Sequence, residues 1–138
     1  MLDITYRIGN DLDPAAFVEL LKATSLGVRR PVEDLQTIRD ILQHGNLTVS
    51  AWDGPLLVGV ARSLTDFSFV AYLSDLAVRE THQKCGIGRE LIRLTRTKLG
   101  PATKLVLLSA PAAVEYYPQL GFTQHPSAWT IDAHEPLL

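Results

Sequence analysis

Gln83-Lys84-Cys85-Gly86-Ile87-Gly88 stands between an apolar extended run that ends at Val78 and an amphipathic segment that continues to Leu99. Glycines at such a joint let the backbone approach a ligand closely. Successive N–H groups and the positive end of a helix dipole then favour an anion, phosphate above all. Lys84 and Arg89 would add positive charge at the same place. A Gly-x-Gly also occurs at helix joints that bind nothing, so its context must decide. A Rossmann turn needs the glycines after the first strand of a repeated strand–helix array, whereas these glycines follow several strands in a short chain. A Walker loop needs Gly-Lys-Ser/Thr, and Gly86-Ile87-Gly88-Arg89 does not supply it.

Other reactive side chains are sparse. Cys85 lies in the same loop, but covalent catalysis needs a thiolate beside a base and no such partner is evident, so it reads as a residue presenting its backbone. His44, His82, His125 and His134 pair with neither Cys85 nor a carboxylate at a metal-ligand spacing, and no metal is expected. Glu115 reads as an exposed helix residue. Arg29 and Arg30 read as a solvated surface pair, with a carboxylate or phosphate of a ligand as the alternative.

The elements that must position the glycine loop follow from periodicity. Ile4 to Ile8 alternates as a strand, and Asp13-Pro14 opens a helix carrying Phe17, Leu20 and Leu21. A linker, Ser25 to Arg30, leads to a second helix starting at Pro31, with Val32, Leu35, Ile38, Ile41 and Leu42 on one face and Gly45 as terminator. Leu47, Val49 and Ala51 alternate before an Asp53-Gly54-Pro55 turn. Strands are then predicted over about Leu57–Leu64 and Phe69–Val78, antiparallel to one another because short turns join them. A helix from Gly86 ends at Gly100-Pro101. Leu105 to Leu108 is a short apolar run that suggests a parallel strand buried on both faces. A short helix from Ala112 to Leu120 and a terminal hairpin through Phe122 and Trp129 complete an α/β or α+β reading with a mixed sheet.

With these elements in place the chain resembles the GNAT superfamily of N-acetyltransferases. The family's Arg/Gln-x-x-Gly-x-Gly/Ala motif is matched by Gln83, Gly86 and Gly88 behind Tyr72 to Val78, and its Tyr-x-x-x-Gly-Phe segment by Tyr117, Gly121 and Phe122. The N-terminal half agrees by element order only. The resemblance implies a mixed, mostly antiparallel sheet flanked by helices, with splayed central strands forming a slot for the pantetheine arm of acetyl-CoA. A bulge near Ser74-Asp75 would widen that slot. Leu76, Ala77 and Val78 would line it, and the residues Gln83, Lys84, Cys85, Gly86, Ile87, Gly88 and Arg89 would hold the pyrophosphate.

The chemistry implied is direct attack of a neutral amine, from a small molecule or a peptide, on the thioester. The backbone N–H near Leu76 would face the oxyanion. Tyr117 occupies the position of the phenol that protonates the leaving thiolate, with Tyr116 as its competitor, and Asp75 is the nearest carboxylate for a general base, ordered water being the alternative. Two positions depart from the family: Ala110 replaces an asparagine seven residues before Tyr117, removing a contact to the CoA arm, and Leu105 stands where some relatives carry a glutamate. The rival reading is a noncatalytic acyl-CoA-binding sensor of the same fold. Similar proteins often form dimers, and the sequence leaves that open.

Composition fits this picture. A chain of 138 residues is the size of one domain, 1–138, and no apolar run is long enough to span a bilayer. The formal charge of -2 offers no global field for a nucleic-acid backbone. The first residues lack a secretory pattern and the lone Cys85 cannot form an internal disulfide, so a reducing cytoplasm is the expected setting. Neither chelator nor reductant should move the melting temperature, and a clear fall on adding chelator would contradict the expectation of no metal.

Overall fold

The computed structural model describes residues 3–138. They fall into two compact units, one running to Leu108 and the other Ser109–Leu138. The first unit is a five-stranded sheet in the order β1-β2-β3-β4-β5, with helices on both faces. β1 (Ile4–Ile8), β2 (Leu47–Asp53), β3 (Leu56–Thr65) and β4 (Val70–Val78) pair antiparallel in turn, and β5 (Lys104–Val106) runs parallel to β4. The architecture is the mixed, mostly antiparallel α/β fold that the sequence implies.

Local chemistry explains the joints. Gly54 takes φ +57° in the turn between β2 and β3, where a side chain would be strained. Between β3 and β4, Asp66 Oδ1 accepts from the N–H groups of Ser68, Phe69 and Val70, which lowers its carboxyl below the usual range. α1 (Pro14–Lys22) is capped by Asp13, whose side chain accepts from the Ala16 N–H at 3.1 Å.

Phe17, Leu20 and Leu21 of α1 and Ile38 and Leu42 of α2 (Leu35–His44) pack with Leu57, Val60 and Ala77 of the sheet. Each of the larger side chains among them stabilises the fold by about 1.5–3 kcal/mol on leaving water. α3 (Ile87–Thr97) covers the other face. A Cβ on Gly59 would lie 3.0 Å from Leu91 Cδ1 and 3.2 Å from Ile87 Cγ2, so the glycine allows α3 to seat closely. Covered from both sides, β2 buries Thr48 and Ser50 along with its apolar residues, in place of the half-buried alternation its sequence suggests.

Some elements differ from expectation. α2 begins at Leu35, not Pro31, because Asp34 rather than a residue before Pro31 captures the first turn: its carboxylate accepts from the Thr37 N–H at 3.2 Å and hydroxyl at 2.8 Å. β5 is shorter than Leu105–Leu108 and is not buried on both faces. It is the last strand in the order and pairs over only three residues, so Val106 and Leu108 stay exposed. The terminal hairpin is absent among the described residues. A lone two-stranded ribbon is marginal, Pro126 removes a ladder donor, and Trp129 is exposed.

In the second unit a turn over Pro111–Ala113 precedes α4 (Tyr116–Gln119), shorter than the helix expected from Ala112 to Leu120. Gly121, at φ +94°, donates to the Pro118 carbonyl and Phe122 donates to that of Tyr117, closing the helix end. Among the described residues no helix is long and apolar enough to cross a membrane, and no group of histidine, cysteine and carboxylate side chains is placed to hold a metal ion.

Candidate active site

β4 and β5 are paired only at Val70–Lys104, Ala71–Leu105 and Tyr72–Val106. Beyond Tyr72, β4 continues for six residues with no strand on that side among the described residues. Alternate residues of a strand turn their backbone groups to opposite neighbours. The Arg79 N–H reaches inward to the Val58 carbonyl on β3 at 2.8 Å, so Val78 and Leu76 turn theirs toward the open edge. Two outward carbonyls are taken by side chains: Gln83 Nε2 donates to Val78 at 3.1 Å and Arg30 Nη2 to Ser74 at 2.7 Å.

Ser74 itself is a β-bulge. Arg62 faces Asp75 and the next residue, Ser63, faces Leu73, which leaves Ser74 without a counterpart. Cross-strand partners share a face, so the bulge turns Asp75 and Ala77 toward α1 and α2 but Leu73 toward α3. It bends β4 where β5 leaves it.

The open edge leads through Arg79 and a turn over Glu80–His82 to the glycine loop. Lys84 has φ +62° and Gly86, the residue capping α3, has φ +81°. Among the described residues no acceptor takes the backbone N–H groups from Lys84 to Arg89, and the first helical bond is Glu90 N–H to the Gly86 carbonyl. A Cβ on Gly86 would meet nothing within 4 Å, so this part of the loop faces open space. Lys84, Cys85 and Arg89 are exposed, Ile87 and Gly88 are buried against the sheet, and Cys85 Sγ donates to the Gln83 carbonyl at 3.3 Å. The loop is a set of unpaired donors with two cations beside it, suited to a pyrophosphate. His82, in the turn before the loop, is anchored with Nε2 2.9 Å from Asp53 Oδ2 and Nδ1 2.8 Å from Thr81 Oγ1.

Asp75 is fully buried, and its two oxygens meet the Nε atoms of Arg30 and Arg62, each at 2.5 Å. Arg62 also reaches Ser74 Oγ at 3.0 Å and the Ile41 carbonyl at 3.2 Å. This surrounding speaks for an anchor and against the expected role of general base. Arg30 is corrected as well: it is a half-buried partner of Asp75, while Arg29 is exposed as expected. Reading by motif missed Arg62, although a lone charge in the apolar run from Leu57 to Leu64 is itself a signal, since a buried cation requires a buried partner. Arg79 was missed too. It forks onto Glu19 of α1, holding that carboxyl below its usual range, and donates to the Leu57 carbonyl.

In the second unit the Tyr117 ring is half-buried, edge-on to Tyr116 at 5.3 Å and to Phe122 at 5.4 Å. Burial, with a smaller contribution from Tyr116, pushes its phenol above the ordinary value, so it stays protonated at neutral pH.

The mixed sheet, with a parallel pair that ends at Tyr72 and Val106 and an open edge that leads into a glycine-capped helix, has counterparts among known proteins. Residues 23–134 match the acetyltransferase (GNAT) domain family, a match that runs through both units. The chain belongs to the GNAT acetyltransferase family. A curated relative from Prochlorococcus marinus, named as an uncharacterized N-acetyltransferase, is 28% identical over an alignment of 121 positions that covers 83% of this chain and 65% of that protein. The chain thus spans about two thirds of that relative's length. A GNAT-family acetyltransferase from Streptococcus pneumoniae superposes with a TM-score of 0.78 at 21% identity, over 96% of this chain and 100% of that one. The aminoglycoside N-acetyltransferase AAC(6')-Iy, solved in complex with CoA, gives 0.74 at 17% identity, over 97% of each chain.

Replacing Asp75 by asparagine leaves two largely buried guanidiniums without a countercharge, and urea denaturation should show a loss of about 3–5 kcal/mol. A variant that keeps full stability but loses turnover would return Asp75 to the role of base.

Proposed function

We propose that this chain is an acetyl-CoA-dependent N-acetyltransferase acting on a primary amine of a small molecule or peptide. The observation that carries the reading is the open edge of β4 running into a loop of unpaired N–H groups at the start of α3. A pantetheine arm, with its alternating amides, pairs with such an edge as a strand would, and its pyrophosphate meets the donors of Lys84 to Arg89. Acetyl-CoA supplies an activated thioester. The N–H of Leu76, which faces the edge between the bulge and Ala77-Val78, would donate to negative charge developing on the thioester oxygen.

In the transfer the amine nitrogen forms the new bond to the acetyl carbon and the carbon–sulfur bond breaks. The amine's surplus proton passes to water, because Asp75 has both oxygens committed to arginine. The thiolate takes a proton from Tyr117, assigned by its position four residues before Gly121. Burial raises its phenol above the ordinary value, so it meets the thiolate as a protonated donor. We propose further that residues 1–138 act as a single N-acetyltransferase domain, which the family match across both units supports.

Gly86→Val should abolish acetyl-CoA binding in calorimetry while the protein stays folded, because a β-branched residue is strained at φ +81° and fills the approach to the N–H groups. Unchanged affinity in a folded variant would remove the loop from the site. Tyr117→Phe should lower turnover by about 10²- to 10⁴-fold with little change in acetyl-CoA affinity, and Tyr116→Phe should do far less. Full turnover in Tyr117→Phe, measured where chemistry limits the rate, would overturn the assignment. A protein that binds CoA tightly yet acetylates no amine would be a sensor.

A further inference from the structure

On the face of the sheet that carries α1 and α2, one row of side chains is left exposed. Leu64 pairs with Tyr72 and Tyr72 with Val106, and cross-strand partners share a face. The face is that of Arg62, two residues from Leu64 on β3. These three side chains are 42%, 37% and 39% exposed, and Val70 in the next row is 40% exposed. Tyr72 and Val106 are also the last paired residues before β4 and β5 separate, so the row ends at the mouth of the slot.

Charge brackets the row. On one side Arg30 and Arg62 share the single carboxylate of Asp75, which leaves that corner with one surplus positive charge. Arg30 Nη1 donates to the Arg29 carbonyl and Nη2 to that of Ser74, leaving one further N–H on each nitrogen of a side chain that is 22% exposed. On the other side Lys104 pairs with Val70. Among the described residues the nearby acid, Asp66, is occupied with its own loop.

We propose that this surface receives the acceptor, and that the acceptor is an amine with an apolar, preferably aromatic, body and a carboxylate, of the kind an aromatic amino acid presents. The inference rests on the transferase reading above and narrows it. Three strands span about 10 Å, the size of one ring-bearing side chain, whereas a stable protein interface needs about 800 Å² from each partner. The ring lies on Tyr72, the carboxylate meets the free N–H groups of Arg30, and the amine points to the slot. A polycationic amine meets the surplus positive charge and is disfavoured.

The test uses N-acetyl-L-phenylalanine, its carboxamide and N-acetylglycine as product-like probes, so that amine ionisation does not intrude, with binding read by ligand-detected NMR with and without CoA. The acid should bind the protein roughly 10- to 100-fold more tightly than the carboxamide. Arg30→Gln should erase that ratio, and Tyr72→Ser should weaken the phenylalanine probe but not the glycine one. Should Arg30→Gln fail to fold, the acid-to-carboxamide comparison on the unaltered protein still decides. Equal binding of acid and carboxamide, no binding of either, or faster acetylation of spermidine than of phenylalanine would overturn the proposal. Failure of CoA itself to bind would instead overturn the transferase reading, which the CoA-free arm keeps separate.

Discussion

Asp75 holds two guanidiniums in a place where none of the three charges could stand alone. Its carboxylate lies inside the sheet's helix-covered face, clamped by Arg62 from the neighbouring strand and by Arg30 from the linker between α1 and α2. Removing two cations and an anion from water is costly, and the geometry offsets that cost because every guanidinium nitrogen has a partner: Arg62 reaches Ser74 Oγ and the Ile41 carbonyl, and Arg30 reaches the Arg29 and Ser74 carbonyls. The bulge at Ser74 is part of the same arrangement. It turns Asp75 to the arginine face and frees the Ser74 carbonyl for Arg30, and it lies just past the last residues that β4 and β5 share. Linker, sheet and slot are therefore fixed by one cluster.

The fold was legible where the signal is local. Asp13-Pro14 caps α1, Gly54 makes the hairpin turn, and Gly86 begins α3 with the left-handed backbone that glycine tolerates. The loop over Gln83 to Arg89 could be read for the same reason, since glycine spacing at a strand-to-helix joint reports backbone geometry directly. Pro31 signals a start that α2 does not take, and the bonds from Thr37 to Asp34 set its beginning four residues later, at Leu35. The apolar run from Leu105 looked like a buried strand because composition does not say whether another strand follows beside it.

The surroundings of the site were less legible because they depend on residues far apart in the chain. Arg30 and Asp75 are separated by 45 positions and Arg79 and Glu19 by 60, and no periodicity links them. Without those partners Asp75 reads as a free carboxylate near the acetyl position, and Arg30 as a surface cation. The row of Leu64, Tyr72 and Val106 was hidden in the same way. Each is an ordinary strand residue until register sets them side by side.

The proposed grip on CoA is made almost wholly of main chain: the edge of β4 and the amides that open α3. Every residue carries those amides whatever its side chain, so most substitutions along the edge leave the grip intact, and only positions such as Gly86, where backbone shape itself depends on residue type, are held fast. A lineage built this way can rewrite its acceptor surface, one side chain at a time, without giving up its cosubstrate. Identities of 17–21% beside a shared fold are what such freedom leaves behind.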